Sequence, residues 1–241
     1  MKVIICQNKQ EAAQEGANIF AKSIKEKPDV VLGLATGGTP VGMYQELIRI
    51  HKQGEVDFSR AKSFNLDEYV GLSGNHPQSY RYFMNDNLFN YINIDKANTY
   101  VPDGKAEDVS ASCRKYEEDI KEQGGVDLQL LGIGSNGHIA FNEPGSPPDS
   151  RTREVNLTEE TIKDNARFFE DESEVPRKAV TMGISTILEA KKIVLLATGN
   201  NKAEVVNKAI KGVANPDIPA SFLQNHPDCI FILDKEAAGE L

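Results

Sequence analysis

Residues 130–145 read LLGIGSNGHIAFNEPG. Leu130 to Ile133 predict a strand, and the glycines after them predict a tight turn at its end. Gly132, Gly134 and Gly137 satisfy the G-x-G-x-x-G spacing of a dinucleotide-binding turn. That spacing has meaning only where a full helix follows and carries the chain to a second strand. Here Pro144, Gly145, Pro147 and Pro148 stop any helix within about two turns, because proline lacks the amide hydrogen and its ring strikes the preceding turn. Glu154 stands near the position of a ribose-binding acid, but no crossover helix can precede it. The stretch argues against a dinucleotide site. It leaves a turn that presents His138 and Glu143 from the end of a strand, which points to acid–base chemistry.

Outward from that turn, strand and helix patterns alternate. Apolar runs at Lys2 to Cys6, Val30 to Ala35, Ala61 to Leu66, Leu128 to Ile133, Ile193 to Ala197 and Ile230 to Leu233 predict strands. Helical patterns follow Cys6 through Phe20 and Ile24, and follow Ala35 through Tyr44, Leu47 and Ile48. An aromatic-rich helix is predicted over Pro77 to Tyr91, with further helices near 107–122, 178–190 and 202–211. This alternation predicts an α/β fold with right-handed crossovers and a mainly parallel sheet covered on both faces. No linker divides the chain, so 1–241 reads as a single domain. Residues 142–176 mix prolines, charges and a short helical pattern, and read either as a lid or as a surface excursion.

Composition narrows the function classes. A chain of 241 residues with 39% hydrophobic content can bury a substantial core. A net charge of −9 and a pI of about 5.1, without any lysine or arginine cluster, argue against a nucleic-acid partner. An anionic substrate would need a local positive site. No segment has the apolar length of a membrane span or a secretion signal, so the expected location is the cytoplasm. Cys6, Cys113 and Cys229 are odd in number and widely spaced, and read as reduced thiols. His51, His76 and His226 lack metal-ligand spacing, and no H-E-x-x-H or paired cysteines occur, so no metal is expected. Ser135, Ser146 and Ser221 lack a G-x-S-x-G nucleophile elbow.

An internal echo gathers the candidates. Leu34-Ala35-Thr36-Gly37 and Leu196-Ala197-Thr198-Gly199 each end a predicted strand and open a predicted helix. In the first copy Thr39 is placed to cap the helix, with Pro40 as its first residue; in the second, Lys202 stands at the helix start. Helix N-termini bind phosphate through free N–H groups and the helix dipole. The first loop lacks the G-x-x-x-x-G-K-[ST] pattern, which argues against a nucleoside triphosphate. In open α/β sheets, ligands lie beyond the carboxyl ends of the strands. Thr36, Gly37, Gly38 and Thr39, then Asp67, Ser135 to His138, and Thr198 to Lys202 would all lie along that one rim. Singly, each has an ordinary use: a glycine turn reverses the chain, Asp67 caps a helix, and Lys202 and Arg167 are surface cations. Their convergence on one rim favours a site.

Longer motifs carry a resemblance. LGLATGGTPVGMY at 32–44, NLDEYVGL at 65–72, LGIGSNGHIAFNEPG at 131–145, SRTR at 150–153 and NARFF at 165–169 resemble the glucosamine-6-phosphate deaminase family across nearly the whole chain. The resemblance implies a Rossmann-like three-layer α/β sandwich. It also implies conversion of glucosamine 6-phosphate and water to fructose 6-phosphate and ammonia, with no cofactor and no required metal. It places ring opening on His138, supported by Glu143 and Asn136, and proton transfer from C2 to C1 on Asp67. Thr36, Gly37, Gly38, Thr39, Lys202 and Arg167 would hold the sugar phosphate.

Two departures stand out. Many relatives have an aspartate where this chain has Asn136. Allosteric relatives bind N-acetylglucosamine 6-phosphate between subunits through an S-R-T-R-x-K stretch; here Arg153 matches the arginine, but Val155 replaces the lysine, and the chain stops at Leu241 without a longer tail. Whether the protein is a monomer or a homo-oligomer stays open. The rival readings are a 6-phosphogluconolactonase-like hydrolase, whose turn continues as S-L-F-P-G, and a non-catalytic sugar-phosphate sensor.

Overall fold

Seven short strands form one sheet: β1 (Lys2–Cys6), β2 (Val31–Leu34), β3 (Lys62–Asn65), β5 (Thr99–Tyr100), β6 (Leu128–Leu131), β9 (Lys192–Ala197) and β10 (Cys229–Asp234). This computed structural model describes residues 1–241 except 167, 168, 170, 172 and 173. The strand order is β1-β10-β9-β6-β2-β3-β5, and every neighbouring pair is parallel. Strands buried on both faces read as continuous apolar runs, which is why VLGL of β2 and KIVLLA of β9 were visible in sequence.

Helices complete the layers: α1 (Lys9–Glu26), α2 (Gly38–Lys52), α3 (Tyr80–Met84), α4 (Val109–Glu122), α5 (Glu159–Ala166), α6 (Ile184–Leu188) and α7 (Ala203–Lys211). α1 shows why such segments fold locally. The Asn8 side chain accepts the Glu11 amide at 3.0 Å, capping the start, and Ala13, Ala17, Phe20 and Ile24 bury one stripe. The chain runs from β2 through β3 to β5 toward one edge, then from β6 through β9 to β10 toward the other. Right-handed crossovers therefore place α1 and α2, which pack on each other, on one face and α4, α6 and α7 on the opposite face. The order reverses between β2 and β6. The loops after these two strands part at this switch point and open a crevice.

A second, antiparallel sheet joins β4 (Asp67–Tyr69), β8 (Lys178–Thr181) and β7 (Arg153–Asn156), with β8 in the middle. Tyr69, Phe141, Leu157, Ile162, Val175 and Ala179 bury a small apolar cluster beside it. Two sequence expectations change here. The helix expected over 178–190 is a strand followed by the short α6, separated at Gly183, where a Cβ would stand 2.1 Å from the Ser150 carbonyl oxygen. The helix expected over 77–91 begins only at Tyr80, after the Ser79 cap, and widens into a π-helical turn at Asn85–Phe89.

Candidate active site

The loop after β2 turns at Gly37, whose φ of 96° is open to glycine and strained for other residues. α2 begins at Gly38, so Gly37 takes the cap position and no side chain caps the helix. This corrects the capping role expected of Thr39: the glycine turn starts the helix early and places Thr39 and Pro40 inside its first turn, where proline needs no acceptor. The first-turn amides keep no partner within the helix, as an anion site requires. Tyr44, fully buried, donates its hydroxyl to the Ala35 carbonyl at 2.6 Å and fastens the loop to α2.

The loop after β6 closes through Gly134 N–H to the His138 carbonyl (2.9 Å) and Gly137 N–H to the Gly134 carbonyl (3.1 Å). The His138 ring lies on Gly134, where a Cβ would stand 2.2 Å from the ring. Residues 216–220 brace the turn from outside: the Ala220 amide donates to the Gly137 carbonyl and the Gly145 amide to the Pro216 carbonyl, each at 2.9 Å. Ala140 holds a φ of 52°, a left-handed conformation that costs about 1–2 kcal/mol and persists because its surroundings fix it.

These loops enclose a cavity of about 310 Å³. Thr36, Gly37, Gly38, Thr39, Asp67, Ser135, His138 and Lys202 all line it, so most of the rim predicted from sequence meets in one place, while Thr198 lines a neighbouring groove. Asn136 and Glu143 stand behind His138 rather than on the wall. Arg167 lies outside the described residues. Tyr80, Phe141 and Thr161 also line the cavity, and sequence alone did not single them out. Tyr80 and Phe141 stack with ring centroids 6.1 Å apart, which forms an aromatic wall.

Hydrogen-bond chemistry fixes the state of the relay. Glu143 can only accept, so the Asn136 amide turns its NH₂ toward Glu143 Oε2 at 2.7 Å. The Asn136 Oδ1 then faces His138 Nδ1 at 2.8 Å, so Nδ1 carries the proton and donates. In the neutral ring this tautomer leaves the lone pair on Nε2. Glu143 Oε2 also lies 3.5 Å from His138 Nδ1, and Oε1 accepts the Thr161 hydroxyl at 2.9 Å. Burial would raise the Glu143 carboxyl, but His138, Asn136 and Thr161 together outweigh it and hold it at about 2. Asp67 is the opposite case. Burial, with Glu68 beside it, pushes its carboxyl up to about 8.

The cavity is thus lined by two groups that can exchange protons, the buried carboxyl of Asp67 and the imidazole of His138. No group of three or more metal-ligating side chains occurs among the described residues. No helix among them is long and apolar enough to cross a membrane. Cys6, Cys113 and Cys229 are buried free thiols.

Comparison with known proteins agrees with this geometry. Residues 7–231 match the family model described as glucosamine-6-phosphate isomerases/6-phosphogluconolactonase. A glucosamine-6-phosphate deaminase of Thermoanaerobacter pseudethanolicus is 58% identical over 239 residues, covering 99% of this chain and 94% of that one. One from Clostridium perfringens is 56% identical over 238 residues, covering 99% and 98%. A solved structure described as a monomeric glucosamine-6-phosphate deaminase superposes with a TM-score of 0.97 at 49% identity, covering all of both chains. The 6-phosphogluconolactonase of Trypanosoma brucei, at 22% identity and a TM-score of 0.75 over 100% of this chain and 98% of its own, shares the fold. The chain therefore belongs to the glucosamine-6-phosphate isomerase/6-phosphogluconolactonase family, on the side of its glucosamine-6-phosphate deaminases.

Proposed function

We propose that this protein converts glucosamine 6-phosphate and water to fructose 6-phosphate and ammonia. The observation that carries the reading is the shared cavity: Asp67, His138, the open first turn of α2 and Lys202 line one 310 Å³ space. The phosphate sits on the amides of Gly37, Gly38 and Thr39, with Thr36 beside them and Lys202 as a point charge; Arg167 belongs to the same anchor by resemblance. Such anchoring turns binding energy into alignment of the sugar carbons. His138 Nε2 takes the proton of the anomeric hydroxyl and returns it to the ring oxygen, which opens the ring. Asn136 and Glu143 hold the imidazole for that transfer. Asp67, as the carboxylate, removes the proton from C2 while O1 takes up a proton to give the enol. Asp67 then delivers its proton to C1 as the C2 nitrogen gives one up, so the proton O1 gained is balanced and an imine is left at C2. Water adds to C2, and ammonia departs as the ketone forms. The substrate's C2 ammonium, arriving beside the buried carboxyl, favours the ionised form that this step needs.

Glu143 within the relay favours this reading over lactone hydrolysis, because the rival S-L-F-P-G turn has no acid at that place. All these groups come from one chain. Together with the monomeric state of the 49%-identical relative, this supports a monomer that acts as one domain over 1–241. The lid or surface excursion expected over 142–176 includes positions outside the described residues. The free buried thiols fit a cytoplasmic enzyme. The test is to incubate the protein with glucosamine 6-phosphate and measure ammonia and fructose 6-phosphate together. Equimolar release is expected. Hydrolysis of 6-phosphogluconolactone without ammonia from the amino sugar would overturn the reading.

A further inference from the structure

We propose that Thr161 is a positioning residue, which sets the orientation of Glu143 and through it the His138 relay. The inference rests on the catalytic reading of His138 and Glu143 given above. A carboxylate can turn about its own Cγ–Cδ bond, so it needs an anchor on each oxygen to stay fixed. Asn136 anchors Oε2 at 2.7 Å, and the Thr161 hydroxyl anchors Oε1 at 2.9 Å. The direction of the second bond is set by a neighbour. Thr158 accepts the Thr161 amide at 3.2 Å, and its own hydroxyl donates to Thr161 Oγ1 at 3.0 Å. A hydroxyl has one proton, so Thr161 Oγ1, having accepted from Thr158, gives its proton to Glu143.

Packing explains why the hydroxyl is in place. Thr161 lies on α5, and the next residue, Ile162, is 1% exposed within the small apolar cluster of Tyr69, Phe141 and Leu157. Burying Ile162 fixes the rotation of α5 and turns Thr161 to the cavity wall, where it also lines the site. The bond therefore exists only while α5 is docked against the second sheet. Undocking α5 frees Oε1, lets Glu143 turn away from Asn136, and releases the amide that dictates which His138 nitrogen carries the proton. Substrate binding through the α2 loop does not pass through this chain of bonds.

The experiment is a double-mutant cycle on turnover, with Thr161→Val, Thr161→Ser, Glu143→Ala and the Thr161→Val/Glu143→Ala pair. Thr161→Val should lower kcat about 10- to 150-fold, as expected for a lost hydrogen bond to a charged group, with KM changed less than about 2-fold. Thr161→Ser should restore most of the activity. On the Glu143→Ala background, Thr161→Val should have no further effect, because the bond it removes is already gone. An equal loss on both backgrounds, an unchanged kcat, or a serine variant as poor as valine would each overturn the role of Thr161. Should valine prevent folding, Thr161→Ala against Thr161→Ser carries the same comparison. Full kcat in Glu143→Ala alone would instead overturn the catalytic reading of Glu143.

Discussion

Asp67 carries its carboxyl inside the protein, and the cost of that placement is readable in both stability and rate. Burial and Glu68 raise it from an ordinary value of 3.8 to about 8, so the folded chain binds this proton more tightly than the unfolded one. Ionising Asp67 thus costs stability, and the cost grows as pH rises between those two values. Asp67→Asn should raise Tm at pH 8 by on the order of 5 °C and leave it unchanged near pH 3.5, as thermal melts at the two pH values would show. The same variant should lose on the order of 10² to 10⁴ in turnover, and normal turnover would remove Asp67 from the chemistry. For the wild-type protein, kcat/KM reports the free enzyme, so it should climb with pH up to about 8 as Asp67 ionises. A profile flat from pH 6 to 9 would contradict that. Glu143 runs the other way. Held at about 2, it stabilises the fold above its ordinary range and loses that contribution only as the solution becomes strongly acid. Asn136→Asp would set a second carboxylate 2.7 Å from Glu143 Oε2, and two such groups hold one proton between them. The acid limb of its pH–rate profile should move to higher pH; an unmoved limb would leave residue 136 a packing role.

Elements decide how these side chains meet. The open first turn of α2 and the turn at Lys202 face the same cavity from β2 and β9, two strands separated in the sheet only by β6. Lys202→Ala should therefore raise KM for glucosamine 6-phosphate about 10-fold or more, with little effect on unphosphorylated glucosamine. Equal effects on both sugars would take Lys202 off the phosphate. Gly134→Ala should cost turnover more than stability, since its Cβ would displace the His138 ring; kcat beside a thermal melt separates the two. The strands behind these turns were legible because they are almost wholly apolar, Gln129 of β6 and Lys192 of β9 being the exceptions. β4, β7 and β8 were not. β4 is DEY, whose carboxylates are buried by partners distant in sequence, and β7 alternates half-buried and exposed residues over only four positions. Their strand character comes from pairing with β8 rather than from their own composition. The site was legible where glycine and proline punctuate a strand end, at 36–39 and 132–145. Thr161 was invisible, because its approach to Glu143 depends on how Ile162 docks α5.

The molecule as a whole bears on regulation. By the resemblance, a site for N-acetylglucosamine 6-phosphate would draw on an arginine and a lysine; here Arg153 donates to the Asn142 side chain at 2.9 Å and to the Arg151 carbonyl at 3.4 Å, and residue 155 is valine. Losing one charged hydrogen-bond partner weakens an effector by roughly 10- to 150-fold, close to a whole allosteric coupling energy. Initial rates should be hyperbolic in glucosamine 6-phosphate, and millimolar effector should leave half-saturation unmoved. Sigmoidal rates abolished by the effector would show that other residues replace the lysine.

The order of the main sheet also sets a schedule for synthesis. β1 leaves the ribosome before the other strands of this sheet and has a single neighbour in it, β10, which is the last of these strands to be made. Until β10 is made, β1 waits with an unpaired edge and β9 lacks its partner on the same side. Nascent chains carry such edges as places where other chains add on. Molecular chaperones would be needed most in the interval before residues 229–234 emerge, and the sheet would close last, as β10 enters between β1 and β9.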